Sequence, residues 1–316
     1  VKPSNSIRST EFRPLLDEAY KALELGQFEK AGQKLEQALQ ISFDDWELLS
    51  ALKCVEYWRQ RKDKLDNIND SIELAEVRLY EWKGFVSRFV PKLKADQLMA
   101  THAIQRWVFN SAIKSYESII DETSEKTPEV RLKLGRLYKG IGDYEKAQDY
   151  LEDALSKMPS ARVYAELADT YALIGQLKYA KVFFREAFFI GAEKIELEYL
   201  ESGLIRKLLD TLKEDGYSGR ELQEWVPVYG VLHGIFNIKR ELKPVELGQL
   251  KQSIYSLNAM MQDNKEESKY IIPKLINRYF WLIDHYIGKK EDRSRINEML
   301  KNIKHLDARI YQKYIN

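Results

Sequence analysis

Cysteine is almost missing from this chain. Cys54 stands alone among 316 residues, so neither an internal disulfide nor a thiolate zinc site can be assembled. Proline (8) and glycine (15) are scarce, too few for an all-β chain of this length. Charge of one sign is not in excess. Lys plus Arg number 50 and Asp plus Glu 49, and a net charge of +1 gives no global pull toward nucleic acid or an anionic membrane. No run of about 18 uncharged apolar residues exists, so no segment reads as membrane-spanning. The glycines build neither G-x-x-x-x-G-K-[ST] nor G-x-G-x-x-G, and no G-x-S-x-G elbow is present. Of the four histidines, His102, His233, His285 and His305, no two lie three or four apart, so no helix offers a paired histidine site. Cys54, on an apolar helix face, reads as packing rather than as a nucleophile. Asp284-His285 reads as a lone surface or half-buried pair. No carboxylate pair stands out for catalysis. The expectation is a protein that is not an enzyme and takes no cofactor or metal.

What is present is a pattern written twice. Leu134-Gly135-x-x-Tyr138, Gly142-Asp-Tyr144 and Ala147-x-x-x-Leu151-x-x-Ala154 make the first copy. Leu167-Ala168-x-x-Tyr171, Gly175-Gln-Leu177 and Ala180-x-x-x-Phe184-x-x-Ala187 make the second, 33 positions on. Such self-similarity marks a repeat array. Leu134, Leu137, Tyr138 and Ile141 fall on one helix face, and Ala147, Leu151, Ala154 and Leu155 on the next. Small residues at matched places let two helices approach near the short end of the ~8–10 Å range. Gly142 and Gly175 suit helix ends with positive φ.

These residues, with Pro159 closing the first copy, resemble the tetratricopeptide repeat family. The resemblance implies an all-α, helical-hairpin solenoid wound as a right-handed superhelix, in which stacked helix pairs cover each other's apolar flanks. It extends over units at about 12–43, 93–127, 128–160 and 161–194, with strong motifs only from 128. The unit at 12 carries Leu15, Ala19 and Ala22, the turn Gly26-Gln27-Phe28, then Ala31, Leu35, Ala38 and Leu39. Glu18 and Phe43 depart from the family pattern there. The unit at 93 is weaker, and Trp107 occupies its expected turn glycine.

Around this array, residues 1–11 read as a polar leader. Residues 44–91 read as an irregular long helical hairpin ending at Pro91, rich in Trp46, Trp58 and Trp82. Residues 195–316 read as a helical C-terminal region, either degenerate repeats or a separate cap. Within it, helices are expected over Ile195–Leu212, Glu221–Leu242, from Pro244 to about Met261, over Tyr270–Ile287, and over 291–303 and 305–315. Asp215 to Gly219 carries the densest loop signal. The chain starts at Val1, where a removed leader would leave no trace, and one cysteine leaves both the cytoplasm and export open.

The resemblance also implies that the first helix of each unit lines a concave face. Carried over, that face presents Lys133, Arg136 and Lys139, then Arg162, Glu166 and Asp169. A basic patch beside an acidic one suits a peptide of mixed charge, while the same charges could equally serve to solubilise an exposed surface. The subtype that clamps acidic chaperone tails uses Lys and Asn at the fifth and ninth places of its first unit. Here those places hold Leu132 and Arg136, or Ala165 and Asp169, so tail binding is not expected. The expected partner is therefore another protein or peptide held in the groove. Two alternatives stay open: a small molecule or lipid beside Trp58 and Trp82, and nucleic acid, which the neutral balance disfavours.

Overall fold

The computed structural model describes residues 5–93, 99–122, 127–237 and 240–316, with side chains from Phe12 onward except at 121, 122 and 127. All regular structure among these residues is helical. Two compact units divide the chain, Val1–Ala147 and Gln148–Asn316.

The first unit opens with α1 (Asn5–Glu24), which begins inside the segment read as leader; residues 1–4 lie outside the described set. A turn at Gly26 leads to α2 (Phe28–Ile41), and the two pack as the expected hairpin. Asp45 then caps α3 (Trp46–Arg59), accepting from the N–H groups of Glu47 and Leu48 at 2.9 and 3.1 Å. After a short α4 (Lys62–Asp66), Asp70 caps α5 (Ser71–Gly84) in the same way. Pro91 lacks an N–H and ends the regular pattern upstream of itself. The chain widens into a π turn over Phe85–Phe89, closed by Val90 N–H on Phe85 O, and then a 3-10 turn over Val90–Lys92.

The irregular hairpin is less self-contained than the sequence suggests. Helix α3 packs on α2, whereas α5 packs on the next long helix, α6 (Met99–Glu122). Helix α6 is also a correction. The unit at 93–127 was expected to be a helix, a turn near Trp107 and a second helix, but α6 runs through Trp107 unbroken. It holds no glycine or proline to stop it. Trp107 instead lies across the first turn: a Cβ on Gly26 would come within 2.2 Å of its Nε1. Gly26 therefore has both a positive φ (70°) and a steric reason to lack a side chain. Residues 94–98 and 123–126 of that expected unit lie outside the described set. Helix α7 (Thr127–Gly140) packs on α6.

A turn at Gly142 leads into α8 (Tyr144–Lys157), within which the division between the units falls. In the second unit Ser160 caps α9 (Ala161–Leu173), which packs along α10 (Leu177–Gly191). Both repeat turns close alike. Gly142 N–H bonds Lys139 O at 3.0 Å and Asp143 N–H bonds Tyr138 O at 3.0 Å. Gly175 N–H bonds Ala172 O at 3.1 Å and Gln176 N–H bonds Tyr171 O at 2.8 Å. This is the Schellman arrangement, which needs the left-handed φ found here, 84° and 80°. The matched small residues Ala147, Ala154, Ala168, Ala180 and Ala187 are all buried.

Beyond α10 the expectation of one helix over Ile195–Leu212 fails. Two 3-10 turns, Ala192–Lys194 and Leu197–Tyr199, precede α11 (Gly203–Glu214). Helix α12 (Gly219–Leu232) stops ten residues before its expected end, because Gly234 takes φ 66° and Phe236 folds back onto Gly230. The remaining helices follow the sequence closely: α13 (Pro244–Asp263), α14 (Ser268–Gly288), α15 (Arg293–Leu306) and α16 (Ala308–Ile315). One hydrophobic core runs from Ala161 and Phe184 through Trp225 and Trp281 to Ile310, so α9 and α10 share their interior with the C-terminal helices.

Candidate functional site

The charges expected on the first helix of each repeat are placed differently in the two units. In the first unit Lys133 and Arg136 are half-exposed on α7, while Lys139 keeps only 2% of its surface. Lys133 reaches back across α6 to pair with Glu76 of α5, and its Nζ lies 5.2 Å from the centre of the Tyr116 ring. Tyr116 donates to the same carboxylate. Burial pushes the Glu76 carboxyl up, but the hydrogen bonds from Lys133 and Tyr116 outweigh it, and the group titrates below its usual value. The partly buried Tyr116 phenol is raised, first by burial and then by Glu76. One turn on, Tyr138 donates to Glu117 of α6 at 2.5 Å.

In the second unit Arg162 is half-exposed, but Glu166 and Asp169 keep 1% and 0% of their surface. Asp169 caps the start of α11: its two carboxylate oxygens accept from the N–H groups of Glu201 and Ser202 at 2.7 and 2.9 Å. A carboxylate is favoured at a helix N-terminus by the orphan N–H groups and the positive end of the dipole. Tyr171, the counterpart of Tyr138, donates to Glu152 of α8 at 2.8 Å. The geometry brings Lys133 together with Glu76 and Tyr116, and it sends Glu166 and Asp169 into the interior. Arg136, Lys139, Arg162, Glu166 and Asp169 each interact with other groups of the protein.

Trp58 and Trp82 of the irregular hairpin are core, whereas Trp46 is exposed. Trp58 is packed between Phe28, stacked at 6.4 Å, and Trp107, edge-on at 5.3 Å, with Phe85 at 5.7 Å. Trp82 packs on Phe85 and Phe109. Cys54 is fully buried, and burial pushes its thiol up to about 12, which leaves little thiolate at neutral pH. Asp284 and His285, expected at or near the surface, are buried: Asp284 pairs with Arg185 of α10, and His285 Nδ1 accepts from Leu242 N–H at 3.1 Å. Both tie the interior of the second unit. Among the described residues no group of three His, Cys, Asp or Glu is placed to hold a metal ion, and no helix is long and apolar enough to cross a membrane.

Sequence reasoning passed over a polar constellation on α14. Lys274, Asn277 and Arg278 face a small cavity together with Glu224 of α12. The signal was there: three polar residues at i, i+3 and i+4 inside the apolar run Ile271 to Ile287.

Residues 128–156 match the family model for the tetratricopeptide repeat. The matched stretch holds α7, the Gly142 turn and most of α8. The chain has no match among curated proteins.

Proposed function

We propose that this protein is a non-enzymatic interaction scaffold that holds a peptide or partner protein along its repeat helices, with Lys133 and Arg136 as contact residues. The observation that carries the reading is the tetratricopeptide repeat match at 128–156, whose first helix keeps these two cations half-exposed. Mechanism here means surface complementarity without a covalent step. Arg136 offers a planar guanidinium that can bind a carboxylate in bidentate fashion, and Lys133 an ammonium already paired with Glu76 and seated beside Tyr116. Tyr80, well exposed on α5, adds an amphipathic ring to the first unit's surface. The preferred partner segment is therefore acidic with an apolar or aromatic anchor. Lys139, Glu166 and Asp169 stay out of the contact set because burial keeps a partner from reaching them. Arg162 is a further reachable cation in the second unit.

Quantitative affinity capture from the native source tests the reading, comparing wild type with the Lys133→Glu/Arg136→Glu variant. Proteins held by wild type and released by a folded variant support it. An identical set of captured proteins would refute the contact assignment.

A further inference from the structure

The second unit contains a cavity of about 60 Å³ between the C-terminal end of α10, α12 and α14. Two of its polar side chains are nine-tenths buried and keep hydrogen-bonding capacity toward it. Asn277 keeps 5% of its surface, and among the described residues its amide makes no hydrogen bond. Glu224 keeps 2%, and its Oε1 has no well-directed hydrogen bond, although Lys274 Nζ stands 3.0 Å away. Buried polar groups in native proteins nearly always find a partner, and here the open side of both groups is the cavity.

The charges are arranged as two opposed poles. On α14, Lys274 and Arg278 supply cations one turn apart. Arg278 is fixed in place by Nε donating to Ser253 Oγ at 2.8 Å and Nη1 to Lys274 O at 3.3 Å. Facing them are Glu224, Glu193 (3.8 Å from Lys274) and the C-terminal end of α10, the negative pole of that helix. Phe188, Ile190 and Pro227 form the apolar wall. The four ionic side chains sum to zero. A lone anion would meet Glu224, and a lone cation would meet Lys274. A molecule carrying both charges a few bonds apart satisfies both poles, with the Asn277 amide able to donate to one end and accept from the other.

We propose that this cavity binds a small zwitterion, an α-amino acid of glycine's size, with its carboxylate toward Lys274 and Arg278 and its ammonium toward Glu224. The volume sets the size limit. At on the order of 10–15 Å³ for each water it has room for only a few, so any longer side chain has to leave through the mouth. Burial pushes the Glu224 carboxyl above its usual value, and Lys274 offsets this only in part.

The test is a calorimetric titration of the full chain with glycine, and in parallel with acetate and methylammonium chloride at equal ionic strength. The proposal expects saturable glycine binding, no saturable binding of either half, and at least a tenfold loss of affinity in Asn277→Leu. If that variant does not fold, Lys274→Gln, altered at a partly exposed side chain, is read the same way. Absence of glycine binding to wild type, acetate binding as tightly as glycine, or a folded variant with undiminished affinity would each overturn it.

Discussion

The carboxylate of Asp169, midway along α9, holds the N–H of Ser202 at 2.9 Å and so fixes where α11 begins. By position in the repeat this acid is expected on a binding face. In the fold it joins two helices of one interior. Replacing it with Ala leaves the N–H groups of Glu201 and Ser202 without an acceptor, at a cost of about 1–3 kcal/mol. A urea titration of Asp169→Ala should show a lower unfolding midpoint with an unchanged slope. A midpoint equal to wild type would show that the cap contributes nothing.

The repeat turns should respond to alanine in a fixed order. At Gly142 and Gly175 a Cβ meets nothing within 4 Å, so the cost is the left-handed backbone alone, about 1–2 kcal/mol. At Gly26 the same backbone cost is joined by a collision with the Trp107 indole. Thermal unfolding should therefore place Gly26→Ala below Gly142→Ala and Gly175→Ala. Equal losses at all three would mean that Trp107 moves aside freely.

Arg185 and Asp284 form a buried pair between α10 and α14. The guanidinium also donates to Phe236 O at 3.0 Å and lies 4.4 Å from the Trp281 ring centre. Removing one member strands the other charge in the core. Asp284→Ala should cost about 3–5 kcal/mol. An apolar pair, Arg185→Met with Asp284→Leu, should recover most of that loss, and a double-mutant cycle in urea measures it. A double variant as unstable as the single would show that the Phe236 contact, not the charge, decides.

Arg240 spans Glu186 and Glu246, meeting the two Glu246 oxygens at 3.0 and 2.9 Å. Hydrogen bonding from Arg240 holds the Glu246 carboxyl below its usual value, against the upward push of burial. The folded state thus keeps this charge to lower pH than the unfolded chain does. The stability it contributes is complete above the unfolded pKa of about 4.3 and disappears as pH falls through the folded value. Glu246→Gln should flatten the acid limb of the stability curve below pH ~4.3 and leave its slope near neutrality unchanged. An unchanged acid limb would remove Glu246 from the linkage.

The repeat pair was legible because its signal is steric. Glycine at a left-handed position and alanine at a crossing leave few alternatives, and Gly142, Gly175, Ala147 and Ala180 all sit where the spacing puts them. The first hairpin was readable for the same reason. The unit at 93 was not, because a plausible stripe on either side of Trp107 also fits one long helix, and only the missing breaker distinguishes them. Ile195 to Leu200 was misread because apolar spacing alone does not separate an α-helix from 3-10 turns pinned by a distant carboxylate. The candidate site suffered most. Sequence reading assigns charged residues to solvent, whereas Lys139, Glu166 and Asp169 are inside, and Asn277 and Arg278 were passed over as parts of an apolar helix. What a charge touches depends on elements far along the chain, and no local pattern records it.

Lys133 and Arg136 are proposed to hold a partner. The most direct measurement is the dissociation constant of a captured partner's binding segment, titrated calorimetrically into wild type and into Lys133→Glu/Arg136→Glu, with the unfolding midpoint of each protein measured alongside. The expected result is at least a tenfold weaker affinity, about 1.4 kcal/mol, in a variant that remains folded. Equal dissociation constants for the two folded proteins would contradict it.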